Sequence, residues 1–197
     1  MRSLKVLALV ESGLPEVESV LAGYTVHTLA SPSDPGQVNH AVRSSGCHIL
    51  HVVGHGAPGG AVAVGGLTLV PHELAWVSVR SRMRLVVLAA CHSIVVGARL
   101  FGAGIPNVIA WPGVVSEAAR RDFCATFYRT LRLTGSVTKA YVAGIEFMSL
   151  FYKEEEYPVL LNGRYVTTPL RMWFLYLAAV SGWLAAGGLL LLHYFGA

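Results

Sequence analysis

The amino-acid sequence predicts a doubly wound α/β layer structure. Short apolar runs rich in β-branched residues alternate along the chain with segments of helical spacing, and loop signals separate the two kinds. The two runs at 47–53 and 85–90 are apolar without alternation, as parallel strands buried on both faces tend to be. Strands are expected at Leu4 to Val10, Tyr24 to Leu29, His48 to Val53, Leu85 to Ala90 and Asn107 to Trp111. Helices are expected between them, at Pro15 to Leu21, Gly36 to Arg43 and Ile94 to Phe101. The first run is read as a strand because Lys5 interrupts it and Glu11 ends it before a signal-peptide core is complete. Ala61 to Leu69 reads as a small hairpin, because Gly65-Gly66 supplies the positive φ angles of a tight turn. After Trp111 the spacing becomes helical: Ala119, Phe123, Phe127 and Leu131 recur every four residues behind an N-cap at Ser116, with Gly135 as the stop. A second helix from Val137 to Phe151 carries an apolar stripe of Val137, Ala140, Tyr141, Gly144, Ile145 and Met148. Tyr157 to Val166, centred on Asn162-Gly163, reads as a closing hairpin.

Charge divides the chain in two. All 15 Lys+Arg and all 11 Asp+Glu lie at or before Arg171, enough chain for one domain with a sizeable core at 1–168. Residues 169–171 form a linker, and 172–195 contain no Asp, Glu, Lys or Arg. At about 1.5 Å per residue that last segment would be roughly 36 Å long as a helix, enough to cross a bilayer core. A C-terminal transmembrane helix is therefore expected, in the arrangement of a tail anchor; a buried core helix fits less well, since the segment has no charge for a solvent face. Arg164 and Arg171 precede it and favour a single-pass protein of the inner (cytoplasmic) membrane with its folded domain in the cytoplasm. Ala178, Gly182 and Ala186 lie four apart on one face of that helix, so self-association through them is an alternative to a passive anchor. The net charge of +4 is modest, and the Arg80, Arg82, Arg84 run reads as a solvated turn, so no nucleic-acid partner is expected. Three cysteines, Cys47, Cys91 and Cys124, are too few for a disulfide framework and fit a reducing compartment.

Gly54-His55-Gly56 closes one buried run and Cys91 closes another 36 residues after His55, which places an imidazole and a thiol at strand ends. In open α/β sheets chemistry gathers at the carboxyl ends of the strands, where residues distant in sequence meet. The order of ILHVVGHG (49–56), LVVLAACHS (85–93), GIPNVIAWPGVVSEAARRDFCATFYRTL (104–131), GSVTKAYVAGIEFM (135–148) and YPVLLNGR (157–164) resembles a CHAT domain, a caspase-like peptidase of clan CD. The resemblance covers most of residues 1–168 and implies a caspase-like, mostly parallel sheet with helices on both faces. One departure is visible: the usual AC-x-S-G reads Ala90-Cys91-His92-Ser93-Ile94.

The resemblance implies a cysteine endopeptidase with a His55/Cys91 dyad acting on a protein substrate. A thiol is a useful nucleophile as thiolate, and a strand-to-helix turn favours that form. His55 would donate a proton to the leaving amine. The backbone N–H groups of Gly56 and Cys91 would bind the oxyanion, and Glu117, at the family's acidic position, would line the pocket for the residue before the scissile bond. It also implies a regulated effector, as in bacterial signalling or anti-phage systems, with a separate regulatory protein partner. From a different class, the alternative is a non-catalytic CHAT-like module that recruits a partner to the membrane.

Blander roles compete for each residue. Cysteines are often core residues, Cys124 reads as one, and the alternative for Glu117 is a residue that simply favours a helix N-terminus. His92 reads as a local loop residue, and His48 and His51 as buried histidines satisfied by hydrogen bonds. Cys47, His51, Cys91 and His92 lack the tight spacing of a zinc site, so no metal and no cofactor are expected.

Overall fold

The computed structural model describes residues 4–11, 16–69, 83–162 and 165–167. Along these the chain forms β1 (Lys5–Val10), α1 (Glu16–Val20), β2 (Thr25–Ala30), α2 (Pro35–Ser45) and β3 (Ile49–Val53). There follow β4 (His55–Gly56), β5 (Val62–Val64), β6 (Leu67–Leu69), β7 (Leu85–Ala89), α3 (Ile94–Gly102) and β8 (Asn107–Ala110). The last elements are α4 (Glu117–Thr134), α5 (Val137–Phe151), β9 (Val159–Asn162) and β10 (Tyr165–Thr167).

Seven strands make one sheet in the order β2-β1-β3-β7-β8-β9-β10, parallel from β2 to β8, with β9 antiparallel to β8. The chain winds outward from β1 to β2, then crosses back to β3 and continues through β7 and β8. Strand order thus reverses between β1 and β3, the place where such sheets open a crevice at their carboxyl edge. Alternate residues of β1 feed two cores. Val6, Ala8 and Val10 pack with α1, α4 and α5, whereas Leu7 and Leu9 pack with α2, α3 and the β5–β6 hairpin. The mostly parallel sheet with helices on both faces is as expected from the sequence.

Local chemistry explains the element ends. Asp34 caps α2 by accepting from the Gln37 N–H at 3.0 Å, and Pro35 takes the first turn, so the helix starts one residue before the expected Gly36. Ser116 accepts from the Ala119 N–H at 3.3 Å, and Gly135 ends α4 in the left-handed conformation, as its sequence predicts. Ala119, Phe123, Phe127 and Leu131 are all buried. The second helix matches its expected bounds, Val137–Phe151.

Three expectations need revision. His55–Gly56 is not plain loop: it forms the short strand β4, antiparallel to β5, which adds a third strand to the expected hairpin. The cause is that Ala63 and Val62 lie opposite His55 and Gly56 and offer their backbone groups. His51 is satisfied by Tyr128, whose hydroxyl lies 3.1 Å from its Nδ1, but His48 Nδ1 is buried without a partner because its ring falls just before β3. The strand at 85–90 ends at Ala89, since Ala90 already leads into the turn at Cys91.

Among the described residues no helix is long and apolar enough to cross a membrane. The expected transmembrane segment 172–195, its linker, Ala178, Gly182, Ala186, and Arg80 and Arg82 all lie outside the described residues.

Burial makes His51 a pH sensor for stability. Desolvation, reinforced by the Arg120 charge, lowers its pKa to about 3, against about 6.5 in an unfolded chain. Between those values the unfolded state binds the proton and the native state does not. Stability should therefore fall as pH drops from about 6.5 toward 3, by up to about 1.4 kcal/mol per unit from this group. Denaturant titrations across that range check it: His51→Gln should show a shallower pH slope, and an identical slope would show that His51 does not contribute.

Candidate active site

β3 and β7 are adjacent parallel strands, and the last residues of their register pair Val53 with Ala89. The chain leaves β3 through Gly54-His55-Gly56 and leaves β7 through Ala90-Cys91, so the imidazole and the thiol come to neighbouring strand ends. The two glycines let this happen by close approach. A Cβ at Gly54 would lie 3.1 Å from the Ala63 carbonyl carbon, and one at Gly56 would overlap the Cys91 carbonyl oxygen and sit 2.5 Å from its carbon. Gly56 is thus packed directly on the Cys91 backbone.

The turn carrying Cys91 is held from three directions. His92 adopts a left-handed φ of 49°, an unusual state for a residue other than Gly, and its N–H donates to Gly113 O at 3.0 Å. Ser93 is fully buried; its hydroxyl donates to Leu88 O at 3.2 Å and accepts from the Trp111 N–H at 3.0 Å, which ties β7 to the end of β8. Ile94 starts α3 with its N–H on Trp111 O at 3.0 Å and packs against the core.

Cys91 is partly exposed, and its Sγ lies 3.7 Å from Val115 O. His55 stands out into solvent, its side chain 86 % exposed, with Nε2 3.5 Å from Glu11 Oε2. Among the described hydrogen bonds none joins His55 to Cys91. Glu11 follows β1 directly, so β1, β3 and β7, neighbours in the sheet, deliver Glu11, His55 and Cys91 to one edge. Glu117 is exposed in the first turn of α4, two residues beyond Val115. The adjoining Ser116 donates its hydroxyl to Glu154 Oε1 at 2.5 Å, which brings the segment after α5 against the loop that follows β8.

Arg120, one turn into α4, donates through Nη1 to Ala89 O at 2.8 Å and to Gly54 O at 3.4 Å. Sequence reasoning passed over Arg120, Glu11 and Ser93. A signal for Arg120 was present: it shares a helix face with Cys124, Phe127 and Tyr128, where a charge has to be used or paid for. Glu11 had one as well, as the first residue beyond a strand at the switch point. Below the site, Tyr24 donates to Tyr128 O at 2.8 Å, and burial raises the Tyr24 pKa to about 12 and that of Tyr128 well above its ordinary value. Both phenols stay neutral at physiological pH.

No curated protein matches this chain. Among solved structures, that of the pyridoxal kinase from Staphylococcus aureus in complex with ADP aligns at 10% identity over 80% of this chain and 93% of that one. Its TM-score is 0.38, too low to carry any argument about this chain. A family model for the CHAT domain matches residues 4–141, a span that holds β1 through the first part of α5 and both residues of the strand-end pair. This chain belongs to the CHAT domain family.

Proposed function

We propose that this protein is a membrane-anchored cysteine endopeptidase in which Cys91 is the nucleophile and His55 the general acid. The observation that carries the reading is the junction at the ends of β3 and β7, where Gly56 lies on the Cys91 backbone and the two side chains share one open edge. Membership of a family associated with a caspase-like peptidase fold supports it.

In this reading the Cys91 thiolate attacks the scissile carbonyl carbon, and the oxyanion is held by the backbone N–H groups of Gly56 and Cys91. His55 gives its proton to the departing amine, and water then releases the acyl group from the sulfur. A direct bond from His55 to Cys91 is not needed when the imidazole serves the leaving group, and such contacts form with substrate in place. Glu117 lines the pocket for the residue before the cut. Activity is controlled by a regulatory protein partner or by clustering, through the loops at 57–60 and 113–116, as in a bacterial signalling or anti-phage effector.

Cells expressing the wild type should show new protein N-termini that are missing from cells expressing Cys91→Ala, as read by N-terminal proteomics. Identical sets of N-termini, with and without the partner's gene, would leave the recruiting module as the better reading.

Segment 172–195 holds the domain at the inner membrane, and Ala178, Gly182 and Ala186 bring copies together. The full chain should stay with membranes after alkaline carbonate washing, whereas a chain ending at about Thr168 should be soluble. Recovery of the full chain in the soluble fraction would count against the anchor.

A further inference from the structure

We propose that Arg120 is a positioning residue of this site, whose guanidinium ties together the two strand ends that carry His55 and Cys91. The proposal rests on the peptidase reading for its catalytic meaning, although the contact itself does not.

The β3–β7 ladder ends at the Val53 and Ala89 pair. Past that pair the strands part: β3 continues into β4 and pairs with β5, while β7 enters the turn at Cys91. Gly54 and Ala89 are both buried where the strands part, and buried carbonyls need donors. Arg120 Nη1 supplies one for each, at 3.4 and 2.8 Å, and an arginine terminal nitrogen carries two hydrogens.

Both carbonyls are close in the chain to the strand-end pair: Gly54 directly precedes His55, and Ala89 lies two residues before Cys91. A single nitrogen thus sets the spacing between the acid and the nucleophile. Its own position is set by α4, which Phe123, Cys124, Phe127 and Tyr128 bury in the core. The guanidinium lies on the α4 side of the sheet, sharing a cavity of about 10 Å³ with His51, Val53, Ala89 and Cys124. It acts on the dyad through backbone, not on substrate.

The test uses the full chain in detergent, as wild type, Arg120→Met, Arg120→Lys and Cys91→Ala, with hydrogen–deuterium exchange and casein cleavage as readouts. Arg120→Met should raise exchange several-fold in peptides covering 54–57 and 90–93 while leaving α5 unchanged. It should lower kcat for casein about 100-fold with KM within about threefold, because a misplacement of about 1 Å is enough for such a loss. Lysine also donates more than one hydrogen, so Arg120→Lys should recover part of both effects. If Arg120→Met does not fold, Arg120→Lys carries the test through a kcat about tenfold below wild type at unchanged KM. Unchanged exchange in both segments, or cleavage equal to wild type in the folded variant, overturns the proposal. Casein cleavage by wild type no faster than by Cys91→Ala fits a chain that is latent without its partner as well as one that is no peptidase; exchange alone then decides the role of Arg120, and the N-terminal proteomics above decides the peptidase reading.

Discussion

Under the proposed mechanism Cys91→Ala and His55→Ala should each reduce cleavage of an identified substrate by at least about 10³-fold, with the double variant scarcely worse than either. In that mechanism nucleophile and acid act as a unit, so removing one leaves the other with nothing to do. Stability should hardly change. His55 is 86 % exposed at its side chain, and the only hydrogen-bond contact described for Cys91 Sγ is a long one to Val115 O. Surface changes of this kind cost within about 0.5 kcal/mol. Steady-state kinetics beside thermal melts separate the two effects. Cleavage at wild-type rate by either folded variant would remove that residue from the mechanism.

Gly56→Ala is the more damaging change, because it acts on fold and chemistry together. The added Cβ meets the carbonyl group of Cys91, backbone rather than a flexible side chain, and lies 2.5 Å from its carbon. Ordinary contact with the carbonyl oxygen requires the His55 segment and the Cys91 turn to move apart by roughly 2 Å, when a misplacement of about 1 Å can already cost 10²-fold in rate. Neither side yields easily: β4 is paired to β5, and the turn is tied down by His92, Ser93 and Ile94. Overpacking of this sort should cost about 3 kcal/mol. Gly66→Ala is the control, since an added Cβ there meets nothing within 4 Å. Equal stability and rate for the Gly56 and Gly66 variants would mean that the contact relaxes without consequence.

The amino-acid sequence by itself determined the elements and the ends of the strands that matter. Period-four apolar spacing in α4, its Ser116 and Gly135 caps and the unalternating runs of β3 and β7 are written in residues close together along the chain, and local hydrogen bonding and burial act over that range. The places of His55 and Cys91, just beyond two buried runs, were legible for the same reason. Glu117 was legible as the start of a helix, and the structure puts it there, exposed.

Tertiary structure alone decided what surrounds them. That β3 lies between β1 and β7 is a matter of strand order, which periodicity does not encode, and it is this order that sets Glu11 3.5 Å from His55. The Arg120 bridge, the bond from the Trp111 N–H to the buried Ser93 hydroxyl and the packing of Gly56 on Cys91 each join residues that are far apart in the chain. Such contacts exist only once sheet register and helix placement fix which backbone groups lose their partners, so the residues that serve those groups look ordinary until the fold is in view.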